Sequence, residues 1–261
     1  MLRRNPPRWH YHINPTDAWF ASFVRTFESP DIYIWDEAAN DSQSDFIWTS
    51  PHLDDVATKQ ELVDRSAALK TIFDGAMYIV HGPLYNPLSL GVPVANNPVD
   101  LGLLSQLSED GDVTTNPYSA KHIRHKYRHG QVPKPDHVAL LLFLARHDKM
   151  TEDILKYTGV NKLGYITLYA FNDWMNAGGW GDKRIASEAG WSNKQHDDFG
   201  ETANNPTFLG PFGRHGGVKA PPKRPMLLKD AHGPMRKALN SFLMERAKGL
   251  SLDVMWRSAY L

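Results

Sequence analysis

The sequence contains no cysteine among its 261 residues. This absence excludes disulfides, a thiolate nucleophile, iron–sulfur clusters and every cysteine-based zinc site, and it is typical of proteins from a reducing compartment. An excess of charge of either sign is also lacking, because Lys plus Arg and Asp plus Glu both number 29. The whole chain therefore has no field that would draw it to nucleic acid or to a membrane surface, and any anion binding must be local.

Long hydrophobic runs are missing as well. The longest run, Val138 to Ala145, is far shorter than the roughly 20 residues needed to cross a bilayer, and the basic N-terminus lacks the apolar core of a signal peptide. Phosphate-loop, Gly-x-Gly-x-x-Gly and Gly-x-Ser-x-Gly motifs are absent, which argues against P-loop nucleotide hydrolysis and serine-hydrolase chemistry. With 41% hydrophobic residues the chain can bury a core, so we expect a cytoplasmic globular protein without a membrane partner.

Residues 1–117 predict an α+β N-terminal part. Two β-rich runs, 32–35 and 46–49, flank a polar stretch and predict a hairpin. Thr58 and Glu61 form a capping box that begins an amphipathic helix over 58–81. A Pro- and Gly-rich connection follows, with a strand near 88–94. We expect the aromatic segment Trp9 to His12 near the N-terminus to form a partly buried arm. A short helix is expected over 20–27.

Residues 118–261 predict a helical part. The segment 118–129 is interpreted as a basic helix, and Asp136 caps a helix that includes the apolar run 138–145. Because this run is apolar on all sides, we expect it at the centre of a helical bundle. A last amphipathic helix is predicted to begin at Pro234. The expected fold class is α+β, mainly α, with a bundle in the C-terminal half and a small hairpin-containing N-terminal part.

The segment 121–129 contains the densest group of cationic side chains in the chain, Lys121, Arg124, Lys126 and Arg128, interleaved with histidines. Its Arg-x4-His spacing resembles the active motif of HEPN-type helical ribonucleases. The resemblance implies metal-independent RNA cleavage, with His129 as general acid or base and Arg124 stabilising charge on the phosphate. We predict RNA as the partner, bound by Lys121, Lys126 and Arg128 and by Arg214 and His215 of a Gly-rich segment, without a cofactor.

The segment Ser50-Pro51-His52-Leu53-Asp54-Asp55 supports an alternative. It resembles the first metal motif of LmbE-like zinc-dependent deacetylases, and Pro135-Asp136-His137 resembles the segment that supplies a further ligand in that family. This resemblance implies a zinc hydrolase in which His52, Asp55 and His137 bind Zn²⁺ and Asp54 acts as the base. The same residues are also explained by helix capping.

A third resemblance covers about residues 45 to 247. The segment Ala203-Asn204-Asn205-Pro206, followed by Arg214-His215-Gly216, is similar to a group of uncharacterised bacterial proteins, and it implies no activity. A non-enzymatic interaction module, which would bind a protein partner through Pro- and Asn-rich loops, is therefore the third hypothesis. The sequence determines neither the substrate nor the oligomeric state.

Overall fold

The structure is a computed structural model that describes residues 8–36, 45–97, 111–120, 132–210 and 220–260. It confirms the expected fold class, since a small antiparallel sheet near the N-terminus is followed by a mainly helical body. Within the described residues, no helix combines the length and apolar character needed to cross a membrane.

The sheet has four antiparallel strands in the order β2-β3-β1-β4. The predicted hairpin is confirmed, because β2 pairs with β3 in a register that places Ile34 opposite Trp48. The strands are β1 (Trp9–Ile13), β2 (Tyr33–Asp36), β3 (Phe46–Thr49) and β4 (Leu90–Ala95).

Strand β1 corrects one expectation, since Trp9 to His12 do not form a partly buried arm but belong to a central strand between β3 and β4. Trp9, Tyr11 and Ile13 are buried, whereas His10 and His12 point to the other face. This alternation is the period of a strand. The sequence does not reveal this pattern, because histidine and tyrosine are both found in cores and on surfaces.

The helical body begins with α2, whose N-cap Thr58 accepts a hydrogen bond from the Glu61 backbone as the sequence predicts. The apolar run Val138 to Ala145 is also helical, and most of its side chains are buried. The helices are α1 (Phe20–Thr26), α2 (Lys59–His81), α3 (His137–His147), α4 (Lys149–Asn161), α5 (Tyr165–Ala177), α6 (Asp182–Ala189), α7 (Asn193–Ala203), α8 (Pro206–Leu209), α9 (Leu228–Gly249) and α10 (Leu252–Tyr260).

The last long helix corrects a second expectation, because α9 begins at Leu228 and contains Pro234 in its interior. Proline normally disfavours a helical residue before it through a clash with that residue's Cβ. Here the preceding residue is Gly233, which has no Cβ. Tertiary contacts hold the first turns in place, since Ala231 is buried and His232 Nε2 lies 2.8 Å from the Leu163 carbonyl.

Helices α2 and α4 cross at two glycines. A Cβ atom added to Gly75 would lie 2.0 Å from the Leu155 carbonyl oxygen, and one added to Gly159 would lie 2.0 Å from the Thr71 carbonyl oxygen. The absence of both side chains therefore lets the two backbones come into direct contact.

The same hydrophobic cluster contains buried residues from both predicted parts of the chain, for example Phe73 of α2 and Leu155 of α4. Helix α2, which lies before residue 117, packs against α3 and α4, which lie after it. The apolar face of α2 is thus covered by the C-terminal helices.

Candidate nucleic-acid interface

The cationic residues that the sequence singles out lie outside the described residues. This applies to the segment 121–129, with the predicted catalytic Arg124 and His129, and to Arg214 and His215. The sequence predicts a helix over 118–129, but the first three of these residues, 118–120, are not helical. The structure does describe the residues on either side of the cationic segment, and these define where the segment joins the folded body.

On the N-terminal side, Ser119 is held by two hydrogen bonds to the region after β3. Its backbone N–H donates to His52 Nδ1 at 3.1 Å, and its hydroxyl donates to Asp55 Oδ2 at 2.5 Å. Asp55 in turn accepts a hydrogen bond from Arg65 of α2 at 2.5 Å. The chain is therefore fixed two residues before Lys121.

His52 connects this attachment to α3. The ring is fully buried, and its Nε2 lies 2.9 Å from Asp31 Oδ1. Because Nδ1 accepts the Ser119 N–H, the ring proton must be on Nε2, where it is donated to Asp31. The same Asp31 oxygen accepts a hydrogen bond from Arg146 Nη1 at 3.1 Å, so three hydrogen bonds link Ser119 to the last turn of α3.

Asp31 is itself held firmly by its backbone. Its N–H donates to Ser29 Oγ at 3.1 Å, and its carbonyl oxygen accepts from Ser50 Oγ at 2.6 Å. The Asp31 side chain is only 2% exposed. A buried carboxylate needs compensation, and here the Arg146 guanidinium and the His52 ring supply it.

On the C-terminal side of the cationic segment, Pro133 is hydrogen-bonded to α10. Its carbonyl oxygen accepts a hydrogen bond from Trp256 Nε1 at 2.9 Å. The Trp256 ring packs edge to face on Phe143, with 5.2 Å between centroids, and Phe143 packs on His147 at 4.7 Å. Trp256 therefore links Pro133 to Phe143, which lies four residues before the end of α3.

The two residues at this end of α3 differ in charge. Arg146 is paired with Asp31 and is mostly buried. Burial, together with the neighbouring Arg146 charge, lowers the pKa of His147 below its usual value, and Asp31 only partly opposes this effect. His147 is thus largely neutral at pH 7, and its ring packs on Phe143 while the residue stays partly exposed.

The three predicted zinc ligands, His52, Asp55 and His137, do not form a metal site. Both ring nitrogens of His52 have protein partners, and Asp55 is held by Arg65 and Ser119. His137 is the first residue of α3, where the Asn240 side chain of α9 faces it. Among the described residues, no three His, Asp or Glu side chains are arranged to hold a metal ion.

The other two residues of that hypothesis have local structural roles. Asp54 accepts a hydrogen bond from the Arg8 backbone at 2.9 Å, and burial raises the pKa of its carboxyl. Asp136 is the N-cap of α3 and accepts from the Ala139 N–H at 3.0 Å. This geometry provides no support for a zinc centre.

A second region has a shape associated with DNA binding. Helices α6 and α7 are joined by residues 190–192, in which Gly190 has a left-handed φ of 76° and Ser192 forms a capping box with Gln195. Helix α5 packs against both. Two helices joined by such a short turn are typical of a helix-turn-helix unit, whose second helix enters the major groove.

The charge of α7 opposes that function. Lys194, Asp197, Asp198 and Glu201 share its solvent-facing side, since they are separated by three, four and seven positions. Lys194 is already paired with Asp198 at 3.0 Å. This face has a net negative charge and would be repelled by a phosphate backbone, so we do not place nucleic-acid contacts there.

Sequence reasoning missed Asp31, Arg146 and His147. Basic residues in the last turn of a helix are common because they complement the helix dipole, so Arg146 and His147 carried no distinctive signal. Asp31 pairs with Arg146 across 115 positions, a contact that no local pattern predicts.

Comparison of the chain with protein-family models, with curated proteins and with solved structures found no match. The geometry and charge of the site are therefore the basis for a functional assignment.

Proposed function

We propose that this is a cytoplasmic RNA-binding protein whose cationic segment, 121–129, contacts the phosphate backbone. The single observation that supports this function best is charge segregation. Residues 113–135 contain five Lys and Arg and no Asp or Glu, which leaves 24 basic and 29 acidic residues in the rest of the chain, a net charge of −5. A polyanion would therefore be attracted to this segment and repelled elsewhere.

The attachment of the segment supports the same proposal. Ser119 is hydrogen-bonded to His52, and Pro133 is hydrogen-bonded to Trp256. The chain is thus anchored two residues before Lys121 and four residues after His129. Attachment at both ends reduces the conformational entropy that a segment loses on binding, which favours affinity.

The composition of the segment favours single-stranded RNA over a duplex. Tyr127 and three histidines alternate with the cations, and stacking of bases on aromatic rings, combined with ionic contacts to phosphates, is the usual way in which proteins bind single strands. The catalytic form of the hypothesis adds cleavage, with His129 transferring the proton of the ribose hydroxyl and Arg124 stabilising the phosphate.

Salt-dependent binding to a short single-stranded RNA tests the proposal. In the test variant, the four segment cations are changed to glutamine: Lys121, Arg124, Lys126 and Arg128. The salt slope is the slope of the logarithm of the association constant against the logarithm of the salt concentration. If these four residues neutralise four phosphates, they should contribute about −3 to the salt slope of the wild type, and the variant should lose this contribution. Affinity of the wild type should then fall by about 50-fold between 50 and 200 mM salt through these contacts.

A control variant makes an equal change of charge elsewhere. It replaces four exposed lysines with glutamine: Lys183, Lys229, Lys237 and Lys248. We expect this control to keep the slope and affinity of the wild type. Equal binding by the test variant and the wild type would refute the proposal. His129→Ala, assayed in parallel, should abolish RNA cleavage while preserving binding if the catalytic form is correct.

A further inference from the structure

The end of α3 carries a guanidinium that is fixed by a buried carboxylate and is partly exposed. Arg146 Nη1 is held by Asp31, and the side chain is 15% exposed. Among the described residues, Asp31 is the one hydrogen-bonding partner of this guanidinium. An arginine has five N–H donors in a planar fork, so donors remain for a second anion.

The buried carboxylate makes this arginine ready for binding. Asp31 is immobilised by Ser29, Ser50 and His52, and it fixes the guanidinium in one position. A side chain that is already ordered loses little rotamer entropy when it binds a ligand. Its planar fork also matches the oxygen spacing of a phosphate, which a lysine does not.

The surrounding charges permit an anion at this position. The other carboxylate nearby in the sequence, Asp148, is engaged by Arg246, whose Nε lies 2.7 Å from Asp148 Oδ2. Neutral His147, next in the chain to Arg146, is exposed and offers one ring N–H donor.

We infer that Arg146 and His147 form a phosphate subsite for a bound RNA strand, with the guanidinium as the charged contact and the imidazole as a hydrogen-bond donor. This inference rests on the proposed function, because Arg146 is linked through Asp31 and His52 to Ser119, two residues before the cationic segment.

Three variants test the subsite by RNA affinity and salt slope. Arg146→Lys keeps the charge and a partner for Asp31, and we expect affinity to fall severalfold with an unchanged slope. Asp31→Asn combined with Arg146→Gln removes both charges together, so no buried carboxylate is left unpaired. We expect this double variant to lose about tenfold in affinity and about 0.7 of the slope. His147→Gln should weaken binding severalfold without changing the slope.

Arg25→Gln is the matched control, since Arg25 is exposed and also lies in the last turn of a helix; it should bind RNA as the wild type does. Inorganic phosphate, added at constant ionic strength, distinguishes the two sources of the ligand. If phosphate competes in the wild type but the Arg146 variants bind RNA normally, the subsite takes free phosphate and the inference is overturned.

The subsite would also be refuted if the double variant Asp31→Asn, Arg146→Gln folds and binds RNA with the affinity and salt slope of the wild type. Failure of the proposed function has a different signature, which is unchanged binding when the four segment cations are replaced. Loss of binding in that variant together with normal binding in the Arg146 variants would refute the subsite alone.

Discussion

Substitution of Gly75 by alanine should destabilise the protein, although alanine is the better helix former. The new Cβ would lie 2.0 Å from the Leu155 carbonyl oxygen, 2.7 Å from its carbon and 2.9 Å from its Cα. All three atoms belong to the backbone of α4, so no side-chain rotation relieves the contact. The two helices would have to separate by about 1 Å to restore an ordinary distance of just over 3 Å.

The size of the effect follows from two opposing contributions. Overpacking of a tight core costs about 1–3 kcal/mol or more, whereas replacing glycine in a helix gains about 1 kcal/mol. Because the clash involves backbone on both sides, we expect the cost to exceed this range and the net loss to be about 2–3 kcal/mol. For a chain of this size, the Tm should fall by about 4–12 °C.

Thermal and urea unfolding measure this loss, and Gly200→Ala is the matched control. Gly200 lies in the interior of α7, and its added Cβ would meet only Tyr169 at 3.7 Å, an ordinary contact. We expect the control to gain up to about 1 kcal/mol from helix propensity. If Gly75→Ala were as stable as the wild type, direct backbone contact between α2 and α4 would be refuted.

Two further predictions concern the polar contacts. Replacing His52 with leucine removes the hydrogen-bonding partner of the Ser119 N–H and one partner of Asp31, so the free energy of unfolding should fall by about 2–4 kcal/mol. The control His12→Leu, at an exposed position, should change the free energy of unfolding by less than about 0.5 kcal/mol. Equal effects of the two substitutions in a urea titration would contradict the anchoring role of His52. Burial raises the pKa of the Asp148 carboxyl, but hydrogen bonds from Arg246 and Thr151 outweigh this effect and hold the pKa below its usual value. The carboxylate therefore stabilises the fold above the usual pKa of an aspartate, and this contribution is lost as pH falls through the lower folded pKa. The stability deficit of Arg246→Gln should therefore be largest near neutral pH and shrink below about pH 4; a deficit independent of pH in acid-unfolding curves would argue against this ion pair.

The local parts of the fold follow from the sequence alone. Thr58 and Asp136 cap α2 and α3 with hydrogen bonds to residues three positions away, and the hairpin strands are marked by β-branched and aromatic residues around a polar stretch. Such signals involve neighbouring residues, so they survive without knowledge of the rest of the chain. The absence of cysteine and the cationic character of 121–129 are likewise properties of the sequence.

Tertiary structure decided what depends on distant partners. Strand β1 is recognisable only through its pairing with β3 and β4, and α9 continues through Pro234 because contacts elsewhere in the chain hold its first turns. The Asp31–His52–Arg146 connection joins residues from three separate segments. A buried charge is stable only where its counter-charge is delivered by the packing of the whole chain, which is why no local pattern indicates this site.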